Sequence, residues 1–413
     1  MPHHSQKNQA ILAVNIGSSS LKFSLHLIGH GSAGHPIGRA RFSGSVQGLE
    51  PGGTIFLKHS DQADQERAAV LPESNEDGLQ AALRILKDLI ENHDHGMAIA
   101  AVAHRVVHGG DHFTAAVVVT TEILRSLHAL DPLAPLHQPH NLRGIEAFAR
   151  YFPGVPQVAC FDTAFHADIA PIERTFPLTQ ALYAQGVKRY GFHGLSYHYI
   201  STRLMQQSPE AGKRLLMAHL GNGSSLCACV GGKSFSTTMG FSAIGGLMMG
   251  TRCGDLDPGV VLYLVQQGMK AQDLERLFYR ESGLMGLSGL SADMRTLRQS
   301  HDPRAAFAIQ VYTHRVIREA GGLIAAMGGI DAIAFAGGIG ENDKILRHDL
   351  CRGLEFLGLE LDDAANQAAS NQQITPIHRP GSKVEVWVVP TDEGLIAAEQ
   401  ALALINPIAV EQR

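Results

Sequence analysis

Two distant stretches of this chain follow one design: an apolar strand enters a tight Gly/Ser/Asn turn and leaves as a second strand. Ala13–Ile16 leads through Gly17-Ser18-Ser19-Ser20 into Leu21–Leu25. Leu215–Leu220 leads through Gly221-Asn222-Gly223-Ser224-Ser225 into Leu226–Val230. Apolar runs flanking such turns predict β-hairpins. Their likeness predicts that one half of the chain repeats the plan of the other, as two related domains facing a shared cleft. A third segment, Ala332–Phe335, runs into the polar loop Ala336-Gly337-Gly338-Ile339-Gly340-Glu341-Asn342, with a helical pattern after it.

Helices are predicted between the strands. Leu79, Ala82, Leu83, Leu86 and Ile90 fall on one helical face. Asp302-Pro303 reads as a cap followed by a first-turn proline, with Ile309, Tyr312, Val316 and Ala320 as the buried stripe. A last helix is expected from near Thr391 to Ile405, after a strand at Val384–Val389. Alternating strands and helices predict an α/β fold with mixed sheets. The expected division is 1–160, with a returning helix 395–413, and 161–394 as the nucleotide-binding domain.

At 413 residues the chain is too long for one ordinary core. Its 34 basic and 39 acidic residues give a formal charge of −5, so no broad basic field invites nucleic acid. No apolar run is long enough for a membrane span, and Met1–Ala10 is polar, unlike a signal peptide. The five cysteines lack C-x-x-C spacing and read as reduced core thiols, so a cytoplasmic protein is expected.

Gly/Ser turns gather backbone N–H groups that hold phosphate oxygens, and a nearby cation completes the neutralisation. Lys22, just past Ser18, Ser19 and Ser20, is placed to supply that charge, and Asn15 offers an amide oxygen to a metal or its water. A ligand-free polar hairpin accounts for one such loop as well; three in one chain favour a nucleotide. Neither a Walker loop nor a G-x-G-x-x-G is present. Arg105 and Arg252 are charged islands among apolar or glycine residues. Each needs an anion, whether a substrate oxygen or an internal partner such as Asp255 or Asp257. His137 and His193 can donate to a phosphoryl oxygen or serve as satisfied structural histidines. Asp162 ends a strand and could orient an arginine or a carboxyl substrate, and Glu393 could hold magnesium through its waters.

Taken together these motifs resemble the acetate kinase family. Asn15–Lys22, His104–Gly110, Phe161–His166, His193 with its flanks, His219–Ser224, Met249–Pro258 and Gly338–Asn342 match in order along nearly the whole chain. The resemblance implies two ribonuclease-H-like domains of the actin and sugar-kinase type flanking a nucleotide cleft, and a homodimer. It implies reversible transfer of the ATP γ-phosphoryl group to acetate, giving acetyl phosphate and ADP. It implies Mg²⁺, with Mn²⁺ as a substitute, on Asn15 and Glu393. ATP would be held by Ser18, Ser20, Lys22, His219, Leu220, Gly221, Asn222, Gly223, Asp293, Met294, Arg295, Gly338, Ile339, Gly340, Glu341 and Asn342. Arg105 would bind the substrate carboxylate, beside Val107, Leu136 and Phe192 around the methyl group. Asp162 would be the catalytic acidic residue, His193 and Arg252 would stabilise the transition state, and His137 would support it. A carboxylate is already a nucleophile, so alignment and charge neutralisation are what catalysis must supply.

Two departures stand out. Ser242-Ala243-Ile244-Gly245 replaces the family's Thr-Pro-Leu-Glu, and the missing proline leaves room for propionate. Asp392-Glu393-Gly394 replaces Asn-Glu-Glu. The rival readings are a zinc hydrolase using His104-x-x-x-His108 and a non-enzymatic actin-like nucleotide-binding module. Val106-Val107 favour a strand, on which that histidine spacing does not face one side.

Overall fold

The computed structural model describes residues 9–29, 36–49, 56–61, 66–70, 77–93 and 97–405. Residues 1–8, on which the leader expectation bears, and 406–413 of the expected returning segment lie outside the described residues. The chain divides into two compact units, one of described residues up to Ala164 together with those from Asp392 onward, the other Phe165–Thr391.

In the first unit, β1 (Gln9–Ile16) and β2 (Ser20–Leu27) form the first hairpin, followed by β3 (Phe42–Gln47), β4 (Phe56–Asp61) and β5 (Glu66–Val70). β6 (Ala98–Val106), β7 (Val117–Val118) and β8 (Gln157–Phe161) complete an eight-stranded sheet ordered β5-β4-β3-β2-β1-β6-β8-β7. β1 runs antiparallel to β2 but parallel to β6, and β6 parallel to β8. The sheet buries Leu12, Val14, Leu21, Phe23 and Leu25 against Leu79, Leu83, Leu86 and Phe148. The helix Gly78–His93 thus carries the apolar stripe its sequence predicts.

The second unit repeats that arrangement. β9 (Arg214–Leu220), β10 (Ser224–Val230) and β11 (Lys233–Thr237) form an antiparallel meander, followed by β12 (Ala332–Ala336), β13 (Thr375–Pro376) and β14 (Glu385–Val388). The order is β11-β10-β9-β12-β14-β13, with β9, β12 and β14 parallel. The central run β11-β10-β9-β12-β14 therefore matches β3-β2-β1-β6-β8 strand for strand. The expected internal repeat is present as topology. The helix Pro303–Ala326, capped by Asp302, buries Ile309, Tyr312, Val316 and Ala320 as expected.

The boundary lies a few residues beyond the expected 160, and the return to the first unit begins at Asp392 rather than 395. β8 ends at Phe161 and the helix from Glu393 packs on β1, β2 and β6, so both ends belong with the first sheet. Asp162 and Glu393 both pair with Arg105, which ties them to the first unit. A second difference concerns the third loop, where Gly337–Asn342 is a short helix. Gly337 enters it at φ +75, a left-handed conformation that glycine adopts without Cβ strain.

Buried histidines stiffen both units. His104 Nε2 lies 2.7 Å from Gln157 Oε1, and His166 Nε2 lies 2.9 Å from the Phe192 carbonyl. Burial pushes His104, His108 and His166 down to about 4, against hydrogen bonds that favour charging His104 and His166. Unfolded, each would titrate near 6.5 and take up a proton first as pH falls. The stability they contribute is therefore complete above about pH 6.5 and lost between there and about pH 4, on the order of 3 kcal/mol each. The urea midpoint is expected to fall clearly between pH 7 and 5, and His104→Gln to flatten that fall. A midpoint insensitive to pH in this window would contradict the assignment.

Candidate active site

The first unit places its chemistry at the carboxyl ends of the parallel strands, where open α/β sheets hold ligands. Asn15 and Lys22 face each other across the hairpin, and the Gly17 N–H donates to the Ser20 carbonyl at 2.9 Å to close the turn. Ser18 is exposed and Ser20 half-buried. Arg105, one residue before the end of β6, is 19% exposed. Its Nε and Nη2 donate to Asp162 at 3.0 and 2.7 Å, and Nη1 lies 3.1 Å from Glu393 Oε2. The anion that Arg105 needs is thus internal, but neither Asp255 nor Asp257. Burial alone would lower its pKa; the charges of Asp162 and Glu393 override this and raise it. Two carboxylates outnumber one guanidinium there, and carboxylate oxygens are donors suited to a hard divalent cation. Glu393 opens the helix Glu393–Ile405, which packs on β1, β2 and β6.

Val107 and Leu136 are half-buried, and His137 sits at the N-cap of the helix Gln138–Tyr151 without a side-chain cap bond. That helix carries two buried amides that sequence reasoning missed. Asn141 donates to the Ile16 carbonyl at 2.7 Å and accepts from the Val107 N–H at 3.0 Å, joining the ends of β1 and β6. Gln138 binds both the N–H and the carbonyl of His108. The available signal was two amides spaced i, i+3 on a face otherwise lined by Leu142, Ile145 and Phe148. His104 lies on a strand with Nε2 engaged by Gln157, and His108 Nδ1 accepts from the Gly110 N–H, which leaves the zinc reading without its helix.

In the second unit the β9–β10 turn is the centre. His193 has φ 59, the only positive value among described non-glycine residues. Such a backbone costs on the order of 1–3 kcal/mol and persists where surrounding contacts impose it. His193 Nδ1 lies 2.8 Å from Ser225 Oγ, which also bonds Tyr197 Oη, and the ring stacks on His219 at 4.3 Å. The chain in which Tyr197 donates to Ser225 and Ser225 to Nδ1 leaves Nε2 bearing the proton. A Cβ built on Gly223 would lie 3.4 Å from His193 Nε2 and 3.7 Å from Arg252 Nη1, so both groups converge on this turn. Arg252 Nη1 donates to the Ala243 carbonyl at 3.1 Å, while Asp255 and Asp257 accept backbone N–H groups. A Cβ on Gly250 would fall 2.1 Å from Asn222 Oδ1, so any other residue there would displace the Asn222 side chain.

Beside this turn lies a cavity of about 710 Å³ whose lining includes Gly221, Asn222, Asp293, Met294, Arg295, Gly338, Ile339 and Asn342. A Cβ on Gly338 would meet no protein atom, so bare backbone faces open space there. Three segments far apart in sequence are thus brought to one place. Other expected nucleotide residues belong to the same segments without lining the cavity. Leu220 is core, Gly340 is buried, and Glu341 Oε1 accepts from the Gly337 and Thr391 N–H groups. Phe192 is buried.

The model of the acetokinase family matches residues 10–399. The chain belongs to that family. It is 45% identical over 417 aligned residues to an acetate kinase of Rhodopseudomonas palustris, covering 97% of this chain and 99% of that one. Among solved structures, Porphyromonas gingivalis acetate kinase has a TM-score of 0.84 at 34% identity, covering 96% of this chain and all of the other. A propionate kinase from Francisella tularensis has a TM-score of 0.84 at 32% identity, covering 95% and 98%. The resemblance drawn from the motifs is borne out, and so is the two-domain α/β fold it implied.

Proposed function

We propose that this protein is an ATP-dependent acetate kinase. The observation that carries the reading is the second unit's geometry, where three expected nucleotide segments line one cavity and His193 and Arg252 converge beside it. A carboxylate oxygen of acetate attacks the γ-phosphorus and forms the new O–P bond. The bond to the β–γ bridging oxygen breaks, and its electron pair leaves with ADP. Arg252 and protonated His193 Nε2 are suited to neutralise charge on the phosphoryl oxygens as it develops. Arg105 keeps an N–H on each Nη beyond those given to Asp162 and Glu393, enough to grip a carboxylate, while Asp162 fixes its orientation. Asn15 and Glu393 would hold Mg²⁺, which when bound offsets phosphate charge.

Other parts of the reading rest on separate observations. The helix Pro258–Gln266 is almost wholly apolar yet has no buried residue, with Leu262 63% and Tyr263 58% exposed. A face of this kind fits burial against a second copy, hence a homodimer. Light scattering is expected to give twice the chain mass, and Leu262→Asp the monomer mass. No described helix is long and apolar enough to cross a membrane, and the unpaired cysteines suit a cytoplasmic location.

Propionate is the second reading, because Ala243, whose backbone carbonyl accepts from Arg252, carries a smaller side chain than the family's proline. The test is trapping of acyl phosphate with hydroxylamine, using ATP, Mg²⁺ and acetate, propionate or butyrate. Absence of product with all three acids would sink the proposal. Ala243→Pro is expected to lower the propionate-to-acetate ratio of kcat/KM by about tenfold, the scale of one methylene in a pocket. An unchanged ratio would remove Ala243 from specificity.

A further inference from the structure

We infer that Arg347 and Asn366 position the nucleotide-cavity wall, so that Arg347 is a positioning residue for the donor substrate. The inference rests on the cavity being the nucleotide site. Arg347 is 1% exposed and heads the largest fully buried side chains. Burying a guanidinium is costly, and here its hydrogen-bond acceptors are uncharged. Nε donates to Asn366 Oδ1 at 2.8 Å and Nη2 to the Asn366 carbonyl at 2.9 Å. Nη1 donates to the carbonyls of Gly340 and Glu341 at 3.0 and 2.8 Å.

Those two carbonyls belong to the last turn of Gly337–Asn342, a helix too short to hold itself by internal bonds. A cation under its C-terminal end also matches the helix dipole. The other end is tied by Glu341 Oε1 to the Gly337 N–H at 2.9 Å. Gly338 and Ile339, between the two ties, and Asn342, just past the second, line the cavity. Asn366 extends the clamp, because its Nδ2 donates to the Lys344 carbonyl at 3.0 Å, and Lys344 and Ile345 line the same cavity. One buried pair thus fixes two wall segments without touching the open space.

The test compares wild type with Arg347→Met, Arg347→Lys and Asn366→Ala. Calorimetry reads ADP binding, and initial rates read KM for ATP and for acetate. Arg347→Met is expected to raise the ADP Kd and the ATP KM by about tenfold, with the acetate KM within about twofold. Arg347→Lys, which keeps the charge but not the fork, should recover part of the loss. Asn366→Ala should weaken ADP binding by about threefold while leaving both helix carbonyls bonded, and it serves if Arg347→Met does not fold. Unchanged ADP affinity in the folded variants, or equal changes for both substrates tracking a lower Tm, would overturn the inference. Wild type that binds ADP but traps no acyl phosphate would overturn the kinase reading instead, and weaker ADP binding in Asn366→Ala would still support the clamp.

Discussion

Replacing Arg252 with alanine is expected to lower kcat by about three orders of magnitude while the ADP Kd changes by less than about threefold. An arginine that neutralises a phosphoryl group in flight is worth roughly 10³–10⁵ in rate, because its contacts strengthen only as charge moves. The structure explains the asymmetry. Arg252 Nη1 lies beside Gly223, next to His193 Nε2, whereas the cavity lining includes Gly221, Asn222 and Gly338 but not Arg252. Arg252→Lys should recover little, since a point charge cannot reproduce both the Ala243 contact and a forked grip. Stopped-flow or steady-state rates with saturating ATP and acetate, paired with ADP calorimetry, check it. A large loss of ADP affinity with kcat intact would place Arg252 in ground-state nucleotide binding.

Arg105→Ala is the second large effect, and it should appear in stability as well as in rate. Removing the guanidinium leaves Asp162, 2% exposed, and Glu393, 24% exposed, without their shared counter-charge. Breaking a buried pair in this way costs about 3–5 kcal/mol, and the partial exposure of Glu393 trims that to about 2–4 kcal/mol. The calorimetric transition of the first unit is expected to drop by roughly 10 °C. Activity measured well below that transition should show a raised acetate KM. Asp162→Asn added to Arg105→Ala should return part of the lost stability by removing one of the two carboxylates that shared the guanidinium. A thermogram indistinguishable from wild type would mean that water already screens the cluster.

What was legible in the sequence follows from how local each signal is. The hairpins at Gly17–Ser19 and Gly221–Gly223 and the helices Gly78–His93 and Pro303–Ala326 announce themselves through turn chemistry and periodicity within a dozen residues. The partners of buried polar groups do not. Asp162 was legible as a residue able to orient an arginine, but Arg105 also finds Glu393 and neither Asp255 nor Asp257, because strand order rather than spacing decides who meets whom. Gly337–Asn342 reads as loop because three glycines argue against helix, yet Arg347 bonds its last carbonyls while Asn366 holds Arg347 in place. Gln138, Asn141, Ser225 and Tyr197 stayed hidden for the same reason.

The division of the chain has a bearing on synthesis. Phe165–Thr391 is one uninterrupted run, whereas the first unit is completed only by the helix beginning at Glu393. On a ribosome, the faces of β1 and β6 that this helix covers emerge early and wait for the whole second unit to be translated. Their apolar residues are exposed in the interval, the period in which nascent chains are most open to aggregation and to chaperone capture. The second unit has no such wait, and it is the part that should reach its native structure first.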